Sequence, residues 1–213
     1  MVTVNFGSIN SDTDLGLFLT NVKCSEPEPK RTVVDVPCRD GELDLSYAVS
    51  SDLHYKNRKL TLEFKKTDYT NSWMEVFSDI ADQLHGKKMH VVISNDPEWY
   101  WDSFITVDPS SEYNVGTITV NLNAYPYKRQ EYTRSYTSTA AGVAVALLVT
   151  KQTVVPTLSS DAAFTVSIDG GEEYSFEAGT YTDPDLKLSA GSHSMIIKGS
   201  GNIVTISYIN GRF

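Results

Sequence analysis

The 213-residue chain carries 27 acidic and 18 basic residues, a formal net charge of −9, with 40% hydrophobic and 21% charged residues. That composition is ordinary for a globular protein, and the chain is long enough to bury a core without disulfide or metal staples. It excludes a nucleic-acid-coating protein, which needs a basic stripe: residues 1–128 hold 12 Lys/Arg against 19 Asp/Glu, and residues 129–213 hold 6 against 8.

The opening, MVTVNFGSINSDTDLG, has no basic segment followed by an apolar run, so no secretory signal is expected and the thiols are expected to stay reduced in a cytoplasm. The two cysteines, Cys24 and Cys38, read as small buried hydrophobes. With no CxxC and four scattered histidines, no zinc site or other cofactor is expected.

Residues 36–46, VPCRDGELDLS, concentrate charge. On a strand, Asp40, Glu42 and Asp44 share one face and Leu43 and Leu45 the other, which describes a solvated face over a buried one. Paired carboxylates also serve glycosidase chemistry when burial raises one pKa. A helix-loop-helix calcium site needs glycine at its sixth position and glutamate at its twelfth, and no register starting at Asp35 or Asp40 supplies both.

Leu60, Leu62 and Phe64 alternate in KLTLEF, the period-2 sign of a strand with one buried face. Ser72 and Glu75 then form a capping box. Trp73, Phe77, Ile80, Ala81 and Leu84 follow at helical spacing and Gly86 suits the left-handed position after the last turn, which predicts a helix of about 13 residues packed on a sheet. MHVVISN (89–95) is a further strand. In DPEWYWD (96–102), Trp99, Tyr100 and Trp101 admit three readings: a strand with both tryptophans packed inward, a protein interface, or a sugar platform. Ile118, Val120, Leu122 and Ala124 alternate in TITVNLNA.

PYKRQEYTRSYTS (126–138) is polar, contains proline and reads as an exposed boundary between domains 1–128 and 129–213. Beyond it the pattern is all β. Val143, Val145, Leu147 and Val149 alternate, as do Phe164, Val166 and Ile168; SFEAG, SMIIKG and NIVTISYING follow. Turn signals fall at Asp169-Gly170-Gly171, Gly179, Gly191, Gly199-Ser-Gly-Asn202 and Asn210-Gly211. The longest apolar stretch, Ala140–Val149, is about half the ~20 residues of a membrane span, so no membrane partner is expected. The expected fold is mainly β: an N-terminal α+β domain, a β-sandwich with one helix, followed by a C-terminal β-sandwich.

Several of these segments, in this order, resemble the distal tail protein of long-tailed bacteriophages with non-contractile tails. Phe6-Gly-Ser and Leu15-Gly-Leu17 resemble that family's opening strands, and Pro27, Pro29 and Arg31 its next segment. VPCRDGELDLS is similar to its VPGRDG-type turn, and NRKLTLEF, a helix, MHVVISNDPEWYWD and TITVNLNAYPYK complete its first domain. The second half is similar to the galectin-like, jelly-roll sandwich such proteins carry, down to a final strand of the ISYINGRF type.

The resemblance implies a structural protein without catalysis. Six copies form a ring at the tail tip, made in the host cytoplasm, with N-terminal domains inside and C-terminal domains outside. The ring links the tail tube protein to tail-tip or fibre proteins, with no sequence-specific nucleic-acid partner. Arg39, Asp40, Gly41, Trp99, Tyr100 and Trp101 fall at the inter-subunit surface by the same resemblance, with Arg39 suited to a bidentate carboxylate contact. Cys38 departs from the family's glycine and would be strained if that position needs positive φ. The other class of function is a carbohydrate-binding accessory sandwich. Against it, all three tryptophans (73, 99, 101) lie before residue 129, which leaves the second domain without a tryptophan platform and reads it as a spacer or docking surface.

Overall fold

Alternation in KLTLEF and TITVNLNA becomes pairing in the computed structural model, which describes residues 2–48, 53–66, 72–112 and 115–213. The chain divides into two units, Met1–Lys128 with Phe213, and Arg129–Arg212. The first contains β1 (Val4–Phe6), β2 (Ile9–Asn10), β3 (Leu17–Cys24), β4 (Val33–Asp35), β5 (Glu42–Asp44), β6 (Arg58–Lys66), helix α1 (Trp73–Leu84), β7 (Lys88–Ile93), β8 (Trp101–Glu112) and β9 (Val115–Ala124).

Seven of these strands form one antiparallel sheet in the order β2-β1-β7-β8-β9-β6-β3. β6 and β9 pair so that Leu60 faces Leu122, Leu62 faces Val120 and Phe64 faces Ile118, and all six are buried. The sheet curls: Phe6 on β1 and Phe64 on β6, four strands apart in that order, meet with ring centroids 6.2 Å apart. One sheet thereby supplies both walls of the core, as strand twist accumulated over many strands allows.

Helix α1 packs on this core. Ser72 caps it, accepting from the Glu75 amide at 3.4 Å, and Gly86 leaves the last turn at φ 75°. The Lys87 ammonium donates to the carbonyls of Asp82 and Gln83, which the helix leaves unpaired. The buried row is Val76, Ile80 and Leu84, while Trp73 and Phe77 flank it half-buried. The expected stripe thus sits one residue round the helix, because four-residue spacing aligns these three side chains. Trp73 lies over Gly116, where an added Cβ would come within 2.1 Å of its ring.

The second unit is a sandwich of two four-stranded sheets. Its strands are β10 (Lys128–Thr137), β11 (Val143–Val149), β12 (Thr157–Ser160), β13 (Phe164–Ile168), β14 (Glu173–Phe176), β15 (Gly179–Thr182), β16 (Gly191–Gly199) and β17 (Ile203–Arg212). Their orders are β10-β17-β12-β15 and β11-β16-β13-β14. Val145, Leu147, Val149, Leu158, Phe164, Val166, Met195, Ile197, Val204 and Ile206 fill the space between the sheets.

Two expectations fail here. The segment 126–138, read as polar and exposed, mostly forms the ten-residue strand β10, whose inward Tyr132 and Tyr136 pack on the core and bond hydroxyl to hydroxyl at 2.9 Å. Asn210-Gly211 is not a turn but the end of β17. The buried Asn210 amide accepts from Thr150 N at 2.9 Å and donates to Leu148 O at 3.1 Å, so it ties two strand ends together.

Candidate functional site

β4 and β5 form a separate two-stranded ribbon, with Val33 opposite Asp44 and Asp35 opposite Glu42. VPCRDG is its turn: Arg39 N donates to Val36 O at 3.1 Å, and Cys38 and Gly41 take φ 64° and 76°. The position therefore does require the left-handed conformation, and Cys38 is strained where glycine is at ease.

The anticipated buried face is absent from this ribbon. Val33 and Val34 are 39% and 42% exposed, Leu45 is exposed and Leu43 half-buried. Asp40 stands in the turn rather than in a strand row with Glu42 and Asp44. The ribbon is held instead by polar contacts at its open end. Arg31 donates to Asp44 through Nη2 at 3.0 Å, Ser46 N donates to Asp44 at 2.9 Å, and Thr32 N donates to the Ser46 hydroxyl at 2.9 Å. Hydrogen bonds from Ser46, then Arg31, lower the Asp44 pKa to about 2, so this carboxylate is an ionised anchor of the ribbon. The guanidinium that pairs here is Arg31; Arg39 at the tip is exposed and has no ion-pair partner among the described residues.

The three aromatics lie on another element, at the β7–β8 junction, and each has its own partner. Trp99 closes a turn on Asp96 O, with the Lys128 ammonium 5.6 Å from its ring centroid and paired to the Asp96 carboxylate. Tyr100 stacks on His90 at 4.3 Å. Trp101 is a core residue, 9% exposed, with the Arg58 guanidinium 4.9 Å from its ring centroid. Of the three, Trp99 and Tyr100 are half-buried and reach the surface, while Trp101 is buried in the core.

Arg58 was not singled out from the sequence, where it reads as one more polar residue ahead of a strand. It is buried, and donates to Ser25 O at 2.8 Å and to the Cys24 sulfur at 2.8 Å. Partial burial raises the Cys24 thiol pKa, and the positive charge of Arg58 offsets this in part. Both cysteines are free and exposed as residues, contrary to the buried reading. Among the described residues no cluster of three or more His, Cys, Asp or Glu is arranged to hold a metal, and no helix is long and apolar enough to cross a membrane.

No family model matches the chain, and neither does any curated protein. Among solved structures it is similar in fold to the SPP1 Dit (gp 19.1) protein, described as a paradigm of the hub adsorption apparatus in phages that infect Gram-positive hosts. The TM-score is 0.70 at 12% identity, and the match covers 100% of both chains, so the likeness in fold extends over the full length of this chain.

Proposed function

We propose that this chain is a non-enzymatic structural hub of a bacteriophage tail tip. In this reading six copies close into a ring that joins the tail tube protein to tail-tip or fibre proteins, after synthesis in the host cytoplasm. The observation that carries the proposal is the fold likeness over the full length of both chains to a phage hub protein.

The ribbon supports it independently. A lone two-stranded ribbon is marginal in water, and among the described residues no third strand or helix covers the exposed Val33, Val34, Leu45 and Tyr47 of this one. A neighbouring copy supplies the missing surface, and the exposed Arg39 guanidinium finds its carboxylate there. The left-handed turn of Cys38 and Gly41 fixes the tip that presents Arg39 and Asp40, and Trp99 and Tyr100 extend the contact. Assembly belongs to residues 1–128, with residues 129–213 outside the ring. Because each subunit meets a different patch on the next, the contact must close to avoid fibres. Electron microscopy of the purified chain, alone and with its tail-tube neighbour, tests this: six-fold rings are expected, and particles without rotational symmetry under both conditions would defeat the reading.

A further inference from the structure

Strand β8 keeps bonding beyond its pairing with β7. The last pair of that ladder is Lys88 with Phe104. Past it, Ile105 donates to Lys87 O at 2.9 Å and accepts from Gly86 N at 2.9 Å, so the link between α1 and β7 extends the ladder. The next amide due on the same side is Val107, because alternate residues of a strand address the same neighbour. It donates not to a backbone carbonyl but to His85 Nδ1, at 3.1 Å. His85 is also the residue that caps the C-terminal end of α1, its own N–H donating to Ala81 O at 2.8 Å. One imidazole therefore ties the end of the helix to the sheet that the helix covers.

That bond fixes the state of the ring. An imidazole nitrogen accepts only when it carries no proton, so the proton is on Nε2 and the ring is neutral. A proton added to Nδ1 sets N–H against N–H and leaves the amide of the buried Val107 without an acceptor. His85 itself is exposed, so protons reach it. A positive charge is favoured at a helix C-terminus, but the Lys87 ammonium already holds the carbonyls of Asp82 and Gln83 there, and two cations repel. The carboxylates on the neighbouring strands are engaged: Asp108 on β8 accepts from Asn121 at 2.6 Å, and Asp102 lies 3.4 Å from Lys88 of β7. On α1 the carboxylate of Asp82, one turn earlier, draws an imidazolium along the helix and away from β8, which favours the same release.

We infer that His85 is an acid-sensitive latch: the neutral ring holds the C-terminal end of α1 on β8, and protonation releases that end. The release is local. Val76, Ile80 and Leu84 keep the helix on the core in both states, so acid frees the last turn of α1, the link at Gly86 and Lys87 and the β8 amides that they cover, without unfolding the sheet. The device is independent of the hub reading, because it lies within one chain and is measured whether or not rings form.

Hydrogen–deuterium exchange of the whole chain at about pH 7.5 and about pH 5, the range in which histidine changes charge, is the test. It is read on peptides covering residues 101–107 and corrected for the intrinsic pH dependence of exchange. Protection of the Val107 amide should fall about fivefold on acidification, the worth of one net hydrogen bond, while the amides of β6 and β9 keep theirs. His85→Asn offers a carbonyl oxygen close to the place of Nδ1 and does not titrate. It should hold the protection of the neutral wild type at both pH values. His85→Ala removes the acceptor and should show the low protection at both, with circular dichroism confirming that it is folded. Wild-type protection that does not change with pH overturns the inference. So does a fall in His85→Asn as large as in the wild type, since another group would then be titrating, or a folded His85→Ala that matches the wild type at the higher pH.

Discussion

The pair β6–β9 and the ribbon β4–β5 are both antiparallel and both carry β-branched or aliphatic residues, yet they are held in unlike ways. In β6–β9 six apolar side chains face one another at zero to 1% exposure. In the ribbon the valines stay about 40% exposed, and the order comes from Arg31, Asp44 and Ser46. Pairing alone therefore does not say where a strand's stability comes from. The core pair is stable by burial within its own chain, whereas the ribbon leaves its valines exposed.

Truncation should separate the two most sharply. Phe64→Ala removes a fully buried ring and is expected to cost about 3–5 kcal/mol. Val34→Ala in the unassembled chain should cost less than about 0.5 kcal/mol. Chemical denaturation measures both, and a ribbon variant as costly as the core variant would end the contrast. Gly116→Ala comes next. The new methyl group meets Trp73 and must push it off the sheet, at about 1–3 kcal/mol, with a red shift of tryptophan emission as the ring is wetted.

Legibility from sequence follows the same division. Leu60, Leu62, Phe64 and the Ile118–Ala124 alternation were readable because burial on one face writes a period of two. Ser72 and Gly86 were readable because caps are chemically specific. Strands β10, β12 and β15 were not, since hydroxyls or charges occupy their outward face and few aliphatic residues mark the inward one. The ribbon's pairing was partly legible from its turn, but its lack of a buried face was not, because Leu43 and Leu45 alternate as a buried set would. Arg58 was invisible for another reason: its partners are backbone carbonyls, a sulfur and a ring, brought together only by the fold. Asn210 misled because Asn-Gly is a strong turn signal, overridden here by the bonds of its side chain across to β11 and Thr150.

Titration gives a smaller effect in the second unit. His193 Nδ1 lies 2.7 Å from Asp169 and Nε2 2.9 Å from Ser189 O, so both ring nitrogens face acceptors and the imidazolium satisfies both. The Asp169 contact, and then Ser189, raise the His193 pKa, and His193 with the Ser194 amide lowers that of Asp169. The His193 contribution is full below its unfolded value of 6.5 and fades as pH rises through the raised folded value. The Asp169 contribution is full above 3.8 and fades as pH falls through the lowered folded value. The stability lost in His193→Gln should thus be largest between about pH 4 and 6.5 and shrink on the alkaline side, staying under about 1 kcal/mol after solvent screening. Urea midpoints across that range check it, and a loss that grows with pH would contradict the sign. Smallest of all is Asp44→Asn. It should leave global unfolding unchanged and speed amide exchange only in residues 32–46, because the contact anchors the ribbon alone.

The central claim, that the ribbon's open surface is completed by another copy of the chain, is tested most directly by the mass of the purified protein in light scattering. Six chains of 23.6 kDa predict 6 × 23.6 ≈ 142 kDa for the wild type, or a conversion to that mass when the tail-tube partner is added, and about 23.6 kDa under both conditions for Val34→Asp with Arg39→Glu. A wild-type chain that stays at 23.6 kDa with its partner present, or a double variant that still reaches 142 kDa, would contradict it.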